Sequence, residues 1–391
     1  MLKKLYVFFI LLVSVEFFTL SFIGEELQKN LEAIAIISML LLLVAKLITN
    51  PIQIKDKFYK DAKKGIIIIL IAVILSSFSA LLFYQQPLKI TLVAQRSMYF
   101  YLFFFFLYHY KVKIKFLEKL LIIMGVLFST VYFAAIFSPN IISAKILEER
   151  GTFRIGLPGI IFIIIGLFYS LQKIIYERNY KFAFLALLFI TNIIATGTRT
   201  IIGITVLLSV FYLYQSLHKK NIFSTLLAFS IFIIGTFIFY NIIEFVFILY
   251  ERALAGKEGN FQIRLYAISF FFTDLFKSNY AYIFGNGFGS QLSSYGNQLL
   301  YLKKNYGLYL SDIGILGDYI RYGILFLLGV LIIIKSVRRS NYLVNNTFII
   351  YSFYFILLSI FTLSNFGTQS VIPAICILLY LLGTQELIKN N

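Results

Sequence analysis

The chain is poor in the residues that usually carry metal or redox chemistry. It has one cysteine, two histidines and 17 acidic residues against 35 basic ones. A single cysteine, Cys376, rules out a disulfide within the chain and a cysteine-based metal site. Two histidines, His109 and His218, are too few for a histidine-rich metal site. No metal and no cofactor are therefore expected. Long polar stretches are scarce as well: Tyr250–Ser311 is the one long interval without a membrane-length apolar run. What is abundant is hydrocarbon. The 391 residues are 60% hydrophobic, with a mean hydropathy of +0.88, which excludes a soluble domain of this length. The apolar runs are continuous rather than alternating, which excludes a membrane β-barrel. The net charge of +18 is read first as a topology signal, not as a nucleic-acid footprint.

Apolar runs of about 17–25 residues, each long enough to cross a bilayer as a helix, recur along the chain. The first, Leu5–Ile23, follows Lys3 and Lys4 but lacks a small-residue cleavage site, so it is read as a retained helix. Further runs lie at Leu31–Ile48, Gly65–Tyr84, Ile90–Tyr108, Leu120–Phe137 and Ile155–Ile175. Phe182–Ala195, Ile201–Leu217, Phe223–Tyr240, Ile313–Ile334, Thr347–Leu363 and Val371–Leu382 complete a set of twelve. The expected fold is all-α: one polytopic membrane domain over residues 1–391, with a long extracytoplasmic loop at 250–311.

The distribution of charge orients this bundle. With the N-terminus in the cytoplasm, the cytoplasmic loops carry Lys55–Lys64, Lys111–Lys119, Lys173–Lys181, Lys219 and Lys220, and Lys335–Arg339. The outer loops after the first, third and eleventh helices contain only Lys29 and Lys89. This obeys the positive-inside rule and places both termini in the cytoplasm. Arginines are distributed differently. Arg96, Arg150, Arg154, Arg199, Arg252, Arg264 and Arg321 fall outside or in the membrane. Topology needs only positive charge, whereas arginine adds a planar fork that grips phosphate with paired hydrogen bonds. The group either binds an anionic substrate on the outer side or consists of solvated and headgroup contacts.

Four stretches can carry chemistry. Glu148-Glu149-Arg150-Gly151-Thr152-Phe153-Arg154 either binds a sugar phosphate or satisfies its own charges at the surface. Ala195–Thr200 is a polar hexad in which Arg199 opens a helix. Its guanidinium either meets a partner in a cavity or snorkels to headgroups. Arg96, beside Gln95 inside an apolar run, poses the same question. In the long loop, Asn260 is placed as the cap of an amphipathic helix over Phe261–Phe276. Gln262, Ser269 and Thr273 form its polar face, and Arg264 lies opposite. Phe284–Gly289 is then a sharp turn, followed by tyrosines, Tyr295 among them, that either stack on sugar rings or form an interfacial belt. Finally, Asp312 at the mouth of the next helix is either an N-cap or a general base, and Asp318 and Arg321, three apart, are placed to pair.

These residues resemble the O-antigen polymerase and ligase superfamily over about Thr196–Gly329. Thr196-Gly197-Thr198-Arg199-Thr200 is similar to the family's short Thr-Gly-Ser-Arg-Thr-like element, and the long loop with Arg264, the glycine turn and a polar residue opening the next helix follow the family's order. The ligases carry a histidine and, further on, a glycine at this helix; Asp312 and Gly323 occupy those positions here, and no histidine faces outward. That favours a polymerase over a ligase, although the Arg-to-Gly spacing some polymerases repeat is absent after Arg150, Arg154, Arg252 and Arg264. The resemblance implies a polymerase of lipid-linked repeat units in the bacterial cytoplasmic membrane. Asp312, Arg199 and Arg264 would be catalytic, and Arg150, Arg154, Arg252, Arg321 and Tyr295 would bind substrate. The implied partners are an undecaprenyl-pyrophosphate-linked oligosaccharide, membrane lipids and a chain-length regulator. A flippase for the same lipid-linked sugar, or a ligase, is the alternative.

Overall fold

The computed structural model describes residues 2–20, 24–49, 57–137, 145–149, 152–156, 158–217, 226, 230, 257–340 and 347–390. These are almost entirely helical. In chain order the helices are α1 (Leu2–Ser14), α2 (Gly24–Thr49), α3 (Lys57–Tyr84), α4 (Leu88–Ala94), α5 (Leu102–His109), α6 (Ile114–Phe137), α7 (Ile160–Glu177), α8 (Phe182–Ala195) and α9 (Arg199–Leu217). After the stretch 218–256 come α10 (Lys257–Thr273), α11 (Asn279–Phe284), α12 (Ser294–Tyr306), α13 (Ile315–Ser340), α14 (Thr347–Leu358) and α15 (Ile372–Asn390). Five of them are long and apolar enough to cross a membrane, or six if a bent pair counts as one span. That is the make-up of a helical membrane protein.

The described residues depart from the expected helices in several places. The first run stops at Ser14, where Glu16 adopts a left-handed backbone, and a short 3₁₀ turn follows at Phe17–Leu20. The run expected at Ile155–Ile175 begins five residues late. Lys145–Glu149 (β1) and Thr152–Gly156 (β2) form an antiparallel hairpin, and α7 starts only after Pro158 and the left-handed Gly159. Ile90–Tyr108 is broken at Gln95 into α4, a 3₁₀ segment and α5, bent by 56°. Asn260 lies inside α10 and is not its cap. The run at Phe223–Tyr240 lies outside the described residues.

Contacts divide the chain into two compact units. The first comprises 1–31, 112–255 and 345–359. Here glycines let helices close on an aromatic side chain. A Cβ on Gly166 of α7 would come within 2.7 Å of the Phe189 ring, and one on Gly125 of α6 within 3.2 Å of the same ring. Buried polar groups then join α7, α9 and α14. Gln172 Oε1 accepts from the Phe348 amide at 2.9 Å, and the Tyr212 and Thr347 hydroxyls bond at 2.7 Å.

The second unit comprises 32–111, 256–344 and 360–391. Its spine is α3 against α13. Gly65 and Gly329 face each other so closely that a Cβ on either would stand 2.7–2.8 Å from the other's carbonyl oxygen, the small-residue contact that lets membrane helices approach. Ile67, Ile71, Ile74 and Phe78 recur every three or four residues on the opposite, exposed side of α3, an apolar stripe suited to lipid. Near its start α13 is broken at Gly323, whose φ of 76° is not helical. In a continuous helix the carbonyls of Ile320 and Arg321 accept from residues four further on. Here they accept instead from the amides of Asn286 (2.9 Å) and Gly287 (2.8 Å). Gly285 and Gly323 make this possible, because both have positive φ and a Cβ on either would overlap backbone of the other's segment.

Gly285→Ala and Gly323→Ala should therefore each destabilise the fold by at least about 1–3 kcal/mol, through left-handed strain and displaced hydrogen bonds. Gly203→Ala is the control: nothing lies within 4 Å of its would-be Cβ, and its effect should stay within about 1 kcal/mol, in the stabilising direction. Thermal unfolding of the purified protein in detergent measures all three.

Candidate functional site

The interval between α10 and α13 folds on a small apolar core of its own. Ala267 and Phe271 of α10, Leu275, Phe276, Ala281, Leu302 and Leu310 bury together against Tyr84 and Ile320. Of the polar face expected for α10, Ser269 and Thr273 are exposed, but so are Arg264, placed opposite them, and the apolar Ile263, Leu265 and Tyr266. The Gln262 side chain lies outside the described residues. Ser278 caps α11 by accepting from the Tyr280 amide, and Ser293 caps α12 by accepting from the Gly296 amide at 3.1 Å. Gly307, left-handed at φ 67°, ends α12 and turns the chain back. The return brings Tyr309 beneath Lys303, whose ammonium sits 5.0 Å from the ring centre.

One buried side chain organises the turn that faces this helix. Gln86 follows α3 and makes four hydrogen bonds. Its Nε2 donates to Thr91 Oγ1 (2.6 Å) and to the Phe288 carbonyl (2.9 Å). Its Oε1 accepts from the Ser290 amide (3.0 Å) and from Ser293 Oγ (2.5 Å). Asn286 is fully buried and also donates to the Ile320 carbonyl through Nδ2, at 3.2 Å.

Between the turn, α12 and the start of α13 lies a cleft of about 210 Å³. Phe288, Gln291, Lys303, Tyr309, Ser311 and Arg321 give it polar and aromatic walls, and Phe271, Leu299 and Leu300 an apolar one. It has two cations and no carboxylate among its lining residues. The Arg321 guanidinium lies 4.9 Å from the Phe288 ring centre and its Nη1 is 3.6 Å from Asp318 Oδ1, so the pairing expected from their spacing is present. Asp318 is wholly buried, while the Arg321 side chain is 17% exposed. Such a cleft can hold an anionic group against its two cations and an apolar or ring-shaped group against its other wall.

The other expected site residues are dispersed. Arg264 is exposed on α10. Asp312 is exposed on a 3₁₀ turn at Leu310–Ile313 and accepts from Ser311 Oγ at 3.4 Å. Neither Ser311 nor Asp312 caps α13, because Gly314 intervenes before the helix starts at Ile315. Arg199 opens α9 in the first unit and Arg154 lies on β2, opposite Leu147; the side chains of both are outside the described residues. Arg150 and Arg252 are outside them altogether. Tyr295 is a correction. Its ring is only 2% exposed and is stacked on Tyr84 at 3.9 Å, so it offers no open face to a sugar. Burial also pushes its phenol well above the ordinary tyrosine range. The tyrosine that lines the cleft is Tyr309, with Lys303 beside it. Gly307 after the Lys303-Lys304 pair was the available signal, since a helix-ending glycine folds the following residues back over the last turn.

Arg96, whose place within an apolar run demanded a partner, has one. It forms an ion pair with Glu32, which is 1% exposed and also accepts from Gln369 Nε2 at 2.9 Å. Neighbouring Gln95 is drawn the other way, donating to Ser76 and accepting from Ser77, both at 3.1 Å. The bend in the α4–α5 span falls between these two polar anchors.

No known family model matches the chain, and neither does any curated protein.

Gln86→Leu should leave the Phe288 carbonyl and Ser290 amide without their partner. Each such buried group costs about 1–3 kcal/mol. Hydrogen–deuterium exchange should then rise over residues 286–293 while the middle of α3 keeps its protection.

Proposed function

We propose that this protein is a polymerase of lipid-linked oligosaccharide repeat units, and that the cleft between the Phe284–Gly289 turn, α12 and α13 receives a pyrophosphate. The observation that carries the reading is the pairing of Arg321 and Lys303 in one cleft with no lining carboxylate. In this reading the chain crosses the bacterial cytoplasmic membrane twelve times with both termini in the cytoplasm, and residues 250–311 face outward. A hydroxyl of the incoming unit attacks the anomeric carbon of the growing glycan. The bond from that carbon to the pyrophosphate oxygen breaks, and undecaprenyl pyrophosphate departs with the electron pair. Asp312, next to the cleft residue Ser311, takes the hydroxyl proton. Arg321 stabilises the charge that develops on the leaving group and Lys303 draws the pyrophosphate in, with Arg264 of the same unit as a further phosphate contact. The apolar wall accommodates the first part of the lipid.

A second reading, a transporter of the same lipid-linked sugar, draws support from the bent α4–α5 span, where Arg96 pairs with the buried Glu32, and from the break at Gly323. Transporters use interrupted helices and intramembrane charges of this kind.

Polymer length on gels, in a strain lacking the protein and complemented with variants, tests the first reading. Arg321→Ala and Lys303→Ala should each shift the product from long chains towards single units, at a rate cost of about 10²–10³-fold for Arg321. Long chains surviving in both variants would remove this cleft from the mechanism. Single units accumulating on the inner leaflet of the deletion strain, rather than the outer, would favour the transporter.

A further inference from the structure

We infer that Asp318 is a positioning residue. Held from behind by the 364–367 segment, it aims the Arg321 guanidinium into the cleft. The inference rests on reading that cleft as a pyrophosphate site and adds a residue that touches no substrate.

Asp318 stands three residues before Arg321, so their side chains share one face of the helix. Its Oδ1 faces Arg321 Nη1 and accepts a hydrogen bond from the Ser364 hydroxyl. The Gly367 amide donates to the Ser364 carbonyl at 3.2 Å, closing the turn that presents Ser364 to the carboxylate. Gly367 also leaves no room behind it, since a Cβ there would overlap Asp318 Oδ1. The carboxylate is therefore fixed by groups from a segment some forty-six positions further along the chain. Its other oxygen, Oδ2, is buried with no hydrogen-bond partner among the described residues.

Stability alone is a poor account of this arrangement. A buried ion pair is often no better than an apolar pair of the same size, and an unpartnered buried oxygen adds to its cost. Geometry is a better account. Arg321 has its guanidinium over the Phe288 ring, its terminal nitrogen beside Asp318 and its carbonyl bonded by the Gly287 amide. A long side chain that is usually mobile is thereby ordered before a ligand arrives, so binding does not have to order it. Outer partners of this kind matter to affinity without contacting the ligand.

The test uses the full-length protein in lipid nanodiscs and radiolabelled inorganic pyrophosphate as the probe, with thermal unfolding recorded for every variant. The wild type should retain the probe saturably, and Arg321→Gln should weaken retention. Asp318→Asn should weaken it by about 10- to 100-fold, and Ser364→Ala, which leaves the carboxylate in place, by about 2- to 10-fold. In the Arg321→Gln background Asp318→Asn should bring no further loss, since a residue acting only through Arg321 has nothing left to act on. Wild-type affinity in folded Asp318→Asn, or a loss that adds in full to that of Arg321→Gln, overturns the positioning role and leaves the cleft reading standing. Should Asp318→Asn fail to fold, unchanged affinity in Ser364→Ala overturns it instead. A wild type that retains no pyrophosphate, or retains it independently of Arg321, overturns the cleft reading and this inference with it.

Discussion

The hydrogen bonds that the Asn286 and Gly287 amides give to the carbonyls of Ile320 and Arg321 are the constraint on which the second unit's site depends. A helix interrupted at Gly323 leaves backbone acceptors in a setting where water cannot reach them cheaply, and each must find a donor. The Gly285–Gly289 turn supplies those donors, and only in one register, because Gly285 and Gly323 occupy space that no larger residue fits. Once that register is set, Phe288 has one place relative to Arg321. Backbone hydrogen bonding thus fixes where Phe288 and Arg321 leave the chain, and the side-chain contacts of Arg321 act from there.

Support for this junction comes from distant parts of the chain. Gln86, at the end of α3, binds the turn across 204 positions of sequence, and Tyr84 stacks on Tyr295 and donates to the Leu275 carbonyl. The segment between α14 and α15 serves both carboxylates that are buried among the described residues of the unit: Ser364 donates to Asp318 and Gln369 to Glu32. Buried charges are tolerated only when paired and hydrogen-bonded, and here one short segment does the second part twice. Because it holds both, a shift in that segment would be felt at the α4–α5 bend and at the cleft together.

Much of this was legible in the chain, for identifiable reasons. Continuous apolar runs specify helices, and Phe182–Ala195 matches α8 at both ends. Clustered glycines announced the turn, and a spacing of three announced the Asp318–Arg321 pair. The interruptions were not legible. A hydropathy window averages over one Gln95 or one Gly323, and what makes a break tolerable is a partner remote in sequence. Tyr295 was misassigned for a related reason: whether a tyrosine in a loop is a platform or a core residue depends on what folds over it, here Tyr84. The hairpin of β1 and β2 was not legible because two five-residue strands are too short to stand out beside membrane-length apolar runs.

The two cations of the cleft are electrostatically unequal, and the difference bears on a leaving group. Arg321 is balanced by Asp318, so it brings directed hydrogen-bond donors with little net charge. Lys303 is set against the face of Tyr309, whose ring contributes no formal negative charge, so most of the cleft's net positive charge comes from it. Donors in fixed directions discriminate by geometry and favour a charge that develops at one place. A less confined ammonium attracts any anion and is screened by salt. Under the proposed reaction the arginine therefore acts on the breaking bond and the lysine on capture. The distinction matters because a site that held donor and departing pyrophosphate equally well would gain affinity without gaining rate.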